Sequence, residues 1–319
     1  MSKPFLTIEE QIDLLNSRGM NTDADTARIL LREGYYSIVN GYKEPFLDTK
    51  ATIANKDDRY RESARFSDMY TIFSFDRELR ETTFYYLIMA EATIKTAVAY
   101  VFSEAHREPN AYLLQENFCS RDEFCIKKSF EREISGLNTA LNRRLEKSRT
   151  EFVTHYKNTY GDVPLWVLVN DLTFGNVEHF FNLMKPEEQD RVCRAITEST
   201  ARKGDGESKY LSRKRARVSL EALVDFRNIC AHDERLYCTT VGGRKNINYI
   251  KMIFRLEQFI TKGEFIELIG KLLDLVKKYS EQSKVVYDLL KPLGFDELSA
   301  ELAKRNKIRE ERRRQNGQR

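Results

Sequence analysis

From about Arg65 to Glu104 apolar side chains recur at three-to-four-residue spacing, with Phe73, Leu79, Phe84, Leu87, Ile88, Ile94, Val98 and Val101 on one broad stripe. Such a stripe buries itself only as a long helix packed against other helices. The rest of the chain supports that constraint. It holds only six prolines in 319 residues, and long stretches alternate charged and apolar residues at helical spacing. No strand-like period recurs, and there is no glycine-rich phosphate loop or dinucleotide fingerprint. The expected fold class is all-α. A straight helix of this length is uncomfortable, so a break is expected near Glu81 to Thr83. Glu91, Lys95 and Thr96 interrupt the stripe, and Glu91 and Lys95 break the most apolar run, Phe84 to Val101, so no membrane span is expected.

Around this segment the sequence punctuates itself. Thr7 caps a first helix through Ser17, with Glu10 as its reciprocal partner, and Gly19 ends it. A second helix from about Asp23 to Arg32 stops at Gly34. Two short helices resemble a helix-turn-helix, but Asp23, Asp25 and Glu33 against Arg28 and Arg32 suit a phosphate backbone poorly. Residues 1–48 therefore read as a small helical module, a lid or an interaction surface. Thr49 to Arg59 reads as a polar connector. A core follows over 60–295. In it, one long amphipathic helix is expected from Arg121 to about Lys157, and Pro164 starts a helix in which Trp166, the only tryptophan, is expected as a buried anchor. A Gly- and charge-rich linker, 201–208, precedes a helix expected from about Tyr210 to His232. Residues 296–319 form a charged basic arm.

With 41% apolar and 32% charged residues the chain can bury a sizeable core. A net charge of +4 is modest, so only its distribution argues for nucleic acid. Five cysteines without paired spacing and four scattered histidines give neither a zinc pattern nor a disulfide framework. A reducing cytoplasm fits, no signal peptide is recognised at Met1, and no metal or other cofactor is expected.

One of those four histidines sits in Asp225-Phe226-Arg227-Asn228-Ile229-Cys230-Ala231-His232. A guanidinium makes forked, charge-assisted hydrogen bonds to phosphate, and an imidazole is the side chain that titrates near neutrality. Asn228 and His232 are four apart and share a helix face, whereas Arg227 and His232 diverge by roughly 140° around the axis. Arg227 must bend back toward the imidazole or act on a phosphate lying between them. A plain alternative has a half-buried His232 capped by Asn228, with Arg227 paired to an acid such as Glu91 or Asp225. Upstream, Lys209, Arg213, Lys214, Arg215 and Arg217 form a dense basic patch, read either as a phosphate-binding approach or as a solvated face.

Several ordered blocks of the chain resemble one family. Gln11-Ile12-Asp13-Leu14-Leu15-Asn16-Ser17-Arg18-Gly19-Met20 and Leu31 to Phe46 look like its opening. Phe75-Asp76-Arg77-Glu78-Leu79-Arg80, Pro164 to Val169 and Leu172-Thr173-Phe174-Gly175 match its middle, and Phe226 to His232 with Arg235-Leu236-Tyr237 matches its Arg–four residues–His signature. The chain is similar to the Abi-like proteins of the AbiD/AbiF type, phage-resistance proteins related to the HEPN superfamily. That resemblance implies a HEPN-like helical bundle core with a small N-terminal helical appendage. It implies a metal-independent endoribonuclease in which Arg227 and His232 act on RNA with Asn228 beside them, and in which Glu91, on the facing helix, orients Arg227 or His232.

The chain carries one convincing copy of the signature, so the resemblance also implies a homodimer that pairs two copies. Arg149 and His155 echo it but lack the following Asn, and His155 is read as structural. Arg235 and Tyr237 join the basic patch as expected RNA contacts, with Tyr237 stacking an unpaired base. Two rival readings stay open: a non-catalytic RNA-binding protein partnered by a non-coding RNA, and a DNA-binding regulator using the N-terminal helices.

Overall fold

Thr7 opens the first helix in the way its neighbours dictate. Its hydroxyl accepts the Glu10 amide at 3.3 Å while the Glu10 carboxylate accepts the Thr7 amide at 2.7 Å, a reciprocal cap on α1 (Ile8–Ser17). The second helix, α2 (Thr26–Glu33), stops at Gly34, whose φ of 82° disfavours any side chain. The computed structural model describes residues 4–201, 210–243 and 246–316, and apart from two two-residue strands its regular elements are helical, so the fold is all-α.

The expected polar connector contains a helix, α3 (Thr49–Asn55), capped by the Asp48 carboxylate on the Ala51 amide at 3.0 Å. It buries no residue, so no apolar period announced it. The break expected near Glu81 is absent: α4 (Phe66–Ala105) is continuous. Ile72, Phe75, Leu79, Thr83, Tyr86, Leu87 and Ala90 are all buried there, and a helix enclosed around much of its circumference has less reason to bend. Conversely, the long helix expected from Arg121 is split into α5 (Phe130–Lys147) and α6 (Glu151–Tyr160). Ser148 turns extended, and its hydroxyl accepts the Thr150 amide at 3.2 Å, a local bond that competes with the helical ladder.

Beyond these come α7 (Leu165–Leu168), α8 (Phe174–Leu183), α9 (Pro186–Ser199) and α10 (Arg213–Ala231). A short ribbon pairs β1 (Thr240–Val241) antiparallel to β2 (Ile247–Asn248), with Gly242 and Gly243 at positive φ in its turn. The chain then forms α11 (Tyr249–Leu256), α12 (Lys262–Ser280), α13 (Lys284–Leu290) and α14 (Phe295–Asn316). Among the described residues no helix is long and apolar enough to cross a membrane.

Contacts divide the chain into two compact units. The first contains residues 1–82, 233–238 and 269–319. Leu15, Ile38, Val39, Phe66, Phe75, Leu79 and Leu298 are buried in it, and the ring of Phe75 meets the edges of Tyr279 and Phe295 at 5.7 and 6.2 Å. The second contains residues 83–232 and 239–268. Phe102, Phe118 and Phe180 form an aromatic cluster there with centroids 4.9 to 5.4 Å apart. Around α10 pack α8, α9 and α11.

A charge triad in the first unit gives its acid stability a definite sign. Glu33 accepts from Arg77 at 2.6 Å and from Arg32 at 2.8 Å, and the Arg77 hydrogen bond above all holds its carboxyl down to about 2. The folded value lies below the unfolded one, so this stabilisation is present above about pH 4.5 and is lost as the pH falls toward 2. Melts followed by circular dichroism should show Glu33→Gln flattening the acid limb in that window. An acid limb identical to that of the unmodified protein would contradict the assignment.

Candidate active site on the last turns of α10

Residues 213–231 form α10 because its apolar positions fall at three- and four-residue intervals. Ala216, Ser219, Leu220, Ala222, Leu223, Phe226 and Ile229 are buried, and Ser212 caps the start by accepting the Arg215 amide at 3.4 Å. Ile229 faces inward, and the polar residues beside it do not. Arg227 is half-buried, while Asn228 and His232 are exposed.

Arg227 is held by α4. Its Nε donates to Glu91 Oε2 at 3.1 Å, and the guanidinium carbon lies 5.8 Å from the centre of the Phe84 ring. Glu91 is buried, and its other oxygen meets Lys95 Nζ at 2.8 Å. A buried carboxylate needs such partners, and here they also fix the arginine. Only Nε is spent: among the described residues neither Nη nitrogen of Arg227 has a hydrogen-bond partner, so the fork that matches phosphate is available.

His232 ends the helix, its amide donating to the Asn228 carbonyl at 2.9 Å. Among the described residues neither its imidazole nor the Asn228 amide group is hydrogen-bonded. The plain alternative of a half-buried histidine capped by Asn228 therefore needs correction. The Arg227–Glu91 pair that it also contained is present.

The basic residues expected as an approach divide. Lys209 lies outside the described residues. Arg213 pairs with Asp190 at 2.9 Å and Arg217 donates to Gln189 at 3.2 Å, both toward α9, whereas Lys214 and Arg215 are exposed. In the first unit, Arg235 pairs with Glu44 at 3.1 Å. Tyr237 is buried with its ring stacked on Tyr42, centroids 6.3 Å apart. A base needs an open ring face, so stacking by Tyr237 is corrected to a packing role. Trp166, expected as a buried anchor, is 57% exposed.

Sequence reasoning missed a second polar centre, in the first unit. Asp76 is fully buried and accepts from Tyr42 Oη at 2.7 Å, Arg80 Nη1 at 2.9 Å, and the amides of Leu236 and Tyr237 at 2.9 and 2.7 Å. Arg80 also donates to the Glu234 carbonyl at 3.2 Å and to the Asp233 carboxylate. Together they tie down residues 233–238, the chain that follows His232. The signal was an acid and a base four apart inside an apolar stripe; the partners some 160 residues away gave none.

Of the remaining histidines, His106 pairs with Glu188 at 2.7 Å, His179 with Glu133 at 2.9 Å, and His155 is exposed beside Tyr156 and Tyr160. Among the described residues no group of three or more His, Cys, Asp or Glu could hold a metal ion.

No curated protein and no solved structure gives a significant match to the chain. The family model described as Abi-like protein matches residues 28–238, about two thirds of the sequence, a span that takes in Glu91, the whole of α10 and the Asp76 centre. The chain belongs to the Abi-like protein family.

Proposed function

We propose that this Abi-like protein serves abortive-infection phage defence as a metal-independent endoribonuclease of the HEPN type, with Arg227 and His232 at its centre. Family membership points to phage defence. The observation that carries the chemical reading is Arg227, fixed through Nε by Glu91, on the same helix as the exposed His232; among the described residues neither the Nη nitrogens of Arg227 nor the imidazole has a hydrogen-bond partner.

In the proposed reaction a ribose 2′-oxygen attacks the neighbouring phosphorus and the bond to the 5′-oxygen breaks. Charge builds on the phosphoryl oxygens, where the Arg227 fork stabilises it. His232 takes the 2′-hydroxyl proton or gives one to the departing 5′-oxygen, and Asn228 holds the phosphate in register. Glu91 orients Arg227 and stays outside the proton transfers. One imidazole moves one proton at a time, so two chains pairing as a homodimer would supply the base and the acid together.

Lys214 and Arg215, the exposed members of the basic patch, gather RNA without taking part in the chemistry. Replacing both with Ala should lower the slope of log affinity against log salt by roughly 0.7 per lost contact with a single strand, measured by fluorescence anisotropy. An unchanged slope would make them a solvated face.

Labelled RNA incubated with the protein in EDTA tests the function. Shortened products support cleavage. A shifted but intact band would favour a non-catalytic RNA-binding protein, and tight binding of duplex DNA alone a DNA-binding regulator.

A further inference from the structure

Within the second unit, the C-terminal end of α4 and residues 162–170 enclose a groove of about 760 Å3, a size typical of sites that bury a small organic ligand. It shares no residue with the Arg227–Glu91 pair. Two large aromatic side chains line it while remaining open to solvent, Tyr100 at 62% and Trp166 at 57% exposure. Rings left uncovered in a concave site offer flat faces for a flat partner, and beneath them Phe102 and Val169 form an apolar floor.

The polar groups of the groove narrow the ligand. Ser103, Asn110 and Asn170 bring a hydroxyl and two amides to its walls. Its lining holds three carboxylates, Glu104, Glu108 and Asp162, and one guanidinium, Arg107; Glu104 is paired with Arg191, and Glu108 accepts from Asn117 Nδ2 at 2.7 Å. No excess of positive charge remains to hold phosphates. His106 completes the wall, its Nε2 fixed 2.7 Å from Glu188 Oε1, which leaves Nδ1 to face other partners. Glu188 is only 4% exposed, and its second oxygen is buried without a hydrogen-bond partner. This carboxylate holds the imidazole in one orientation at the edge of the cavity.

We propose that this groove binds a nucleobase. A base is neutral, planar, and edged with the donors and acceptors that amides, hydroxyls and an imidazole read. It reaches the groove either as a free nucleoside or as an unpaired base of a single-stranded RNA. The site stands whether or not Arg227 and His232 cut RNA.

Trp166 is the only tryptophan of the chain, so tryptophan emission, excited selectively over that of the sixteen tyrosines, reports on this groove. The full-length protein is titrated with each of the four ribonucleosides and, separately, with a single-stranded RNA hexamer of mixed sequence. Acrylamide quenching is measured before and after each titration. The expected result is saturable quenching and reduced acrylamide access. Saturation by a nucleoside identifies the free compound as sufficient, and saturation by the hexamer alone identifies the base of a strand. The Tyr100 side chain is mostly in solvent, so Tyr100→Ala should keep the fold. It should weaken binding by about tenfold through loss of stacking, while Tyr100→Phe retains it. Nucleoside affinity should not change with salt. Absence of saturable quenching by any of these compounds, or equal affinity in Tyr100→Ala, overturns the proposal.

Discussion

His232→Ala is expected to lower the RNA cleavage rate by about 10²–10⁴-fold while leaving the melting temperature close to that of the unmodified protein. The two halves of this expectation have separate causes. A positioned proton donor or acceptor contributes that much to a transesterification, and His232 supplies the imidazole of the proposed site. Stability should hold because His232 is exposed at the end of α10 and its ring has no hydrogen-bond partner among the described residues. Arg227→Lys sharpens the comparison. It keeps the charge beside Glu91 but loses the planar fork, so activity should fall with little change in folding. Normal cleavage by well-folded His232→Ala would remove His232 from the chemistry.

The largest effect on stability is expected from Asp76→Ala. Its carboxylate meets four donors in a fully buried site, and its loss leaves the largely buried Arg80 guanidinium facing a gap and two backbone amides unpaired. Breaking a buried pair from one side costs about 3–5 kcal/mol. Urea titration should show a lower midpoint, and Asp76→Asn, which keeps one acceptor oxygen, should fall between the two. A loss below about 1 kcal/mol would mean that water or a shifted Arg80 replaces the lost oxygens. The effect belongs to the fold of residues 233–238 rather than to the chemistry, so His232→Ala and Asp76→Ala should differ in kind.

What the sequence disclosed and what it hid follow from the range of the forces involved. Thr7 with Glu10, Gly34 after α2 and the apolar spacing of α10 act within one or two helical turns, and each could be read directly. The split between α5 and α6 depends on a hydroxyl three residues from its neighbour's helix, a local signal overridden by the longer amphipathic pattern. Trp166 misled for a different reason. A tryptophan after a helix-starting proline usually packs inward, and nothing local reveals that residues 162–170 present it at the lip of a groove. At the candidate site the sequence supplied Arg227, Asn228 and His232 on one helix, with Glu91 or Asp225 as the acid for Arg227, and resemblance placed Glu91 on the facing helix. That Arg227 meets Glu91 through Nε is a matter of geometry between residues 136 apart on two different helices. Tyr237 followed the Arg–His signature closely enough to look like a base platform, yet its burial is set by Tyr42 and Asp76, which lie far away in sequence.

If Arg227 and His232 cut RNA through its own 2′-hydroxyl, the product ends record it. The protein is incubated in EDTA with an end-labelled RNA and with the same strand carrying 2′-deoxyribose throughout, and the products are resolved by mass spectrometry. Transesterification by these two residues gives 2′,3′-cyclic phosphate and 5′-hydroxyl ends from the RNA and no cleavage of the deoxy strand. Products ending in 3′-hydroxyl and 5′-phosphate, or cleavage of the deoxy strand, would contradict it.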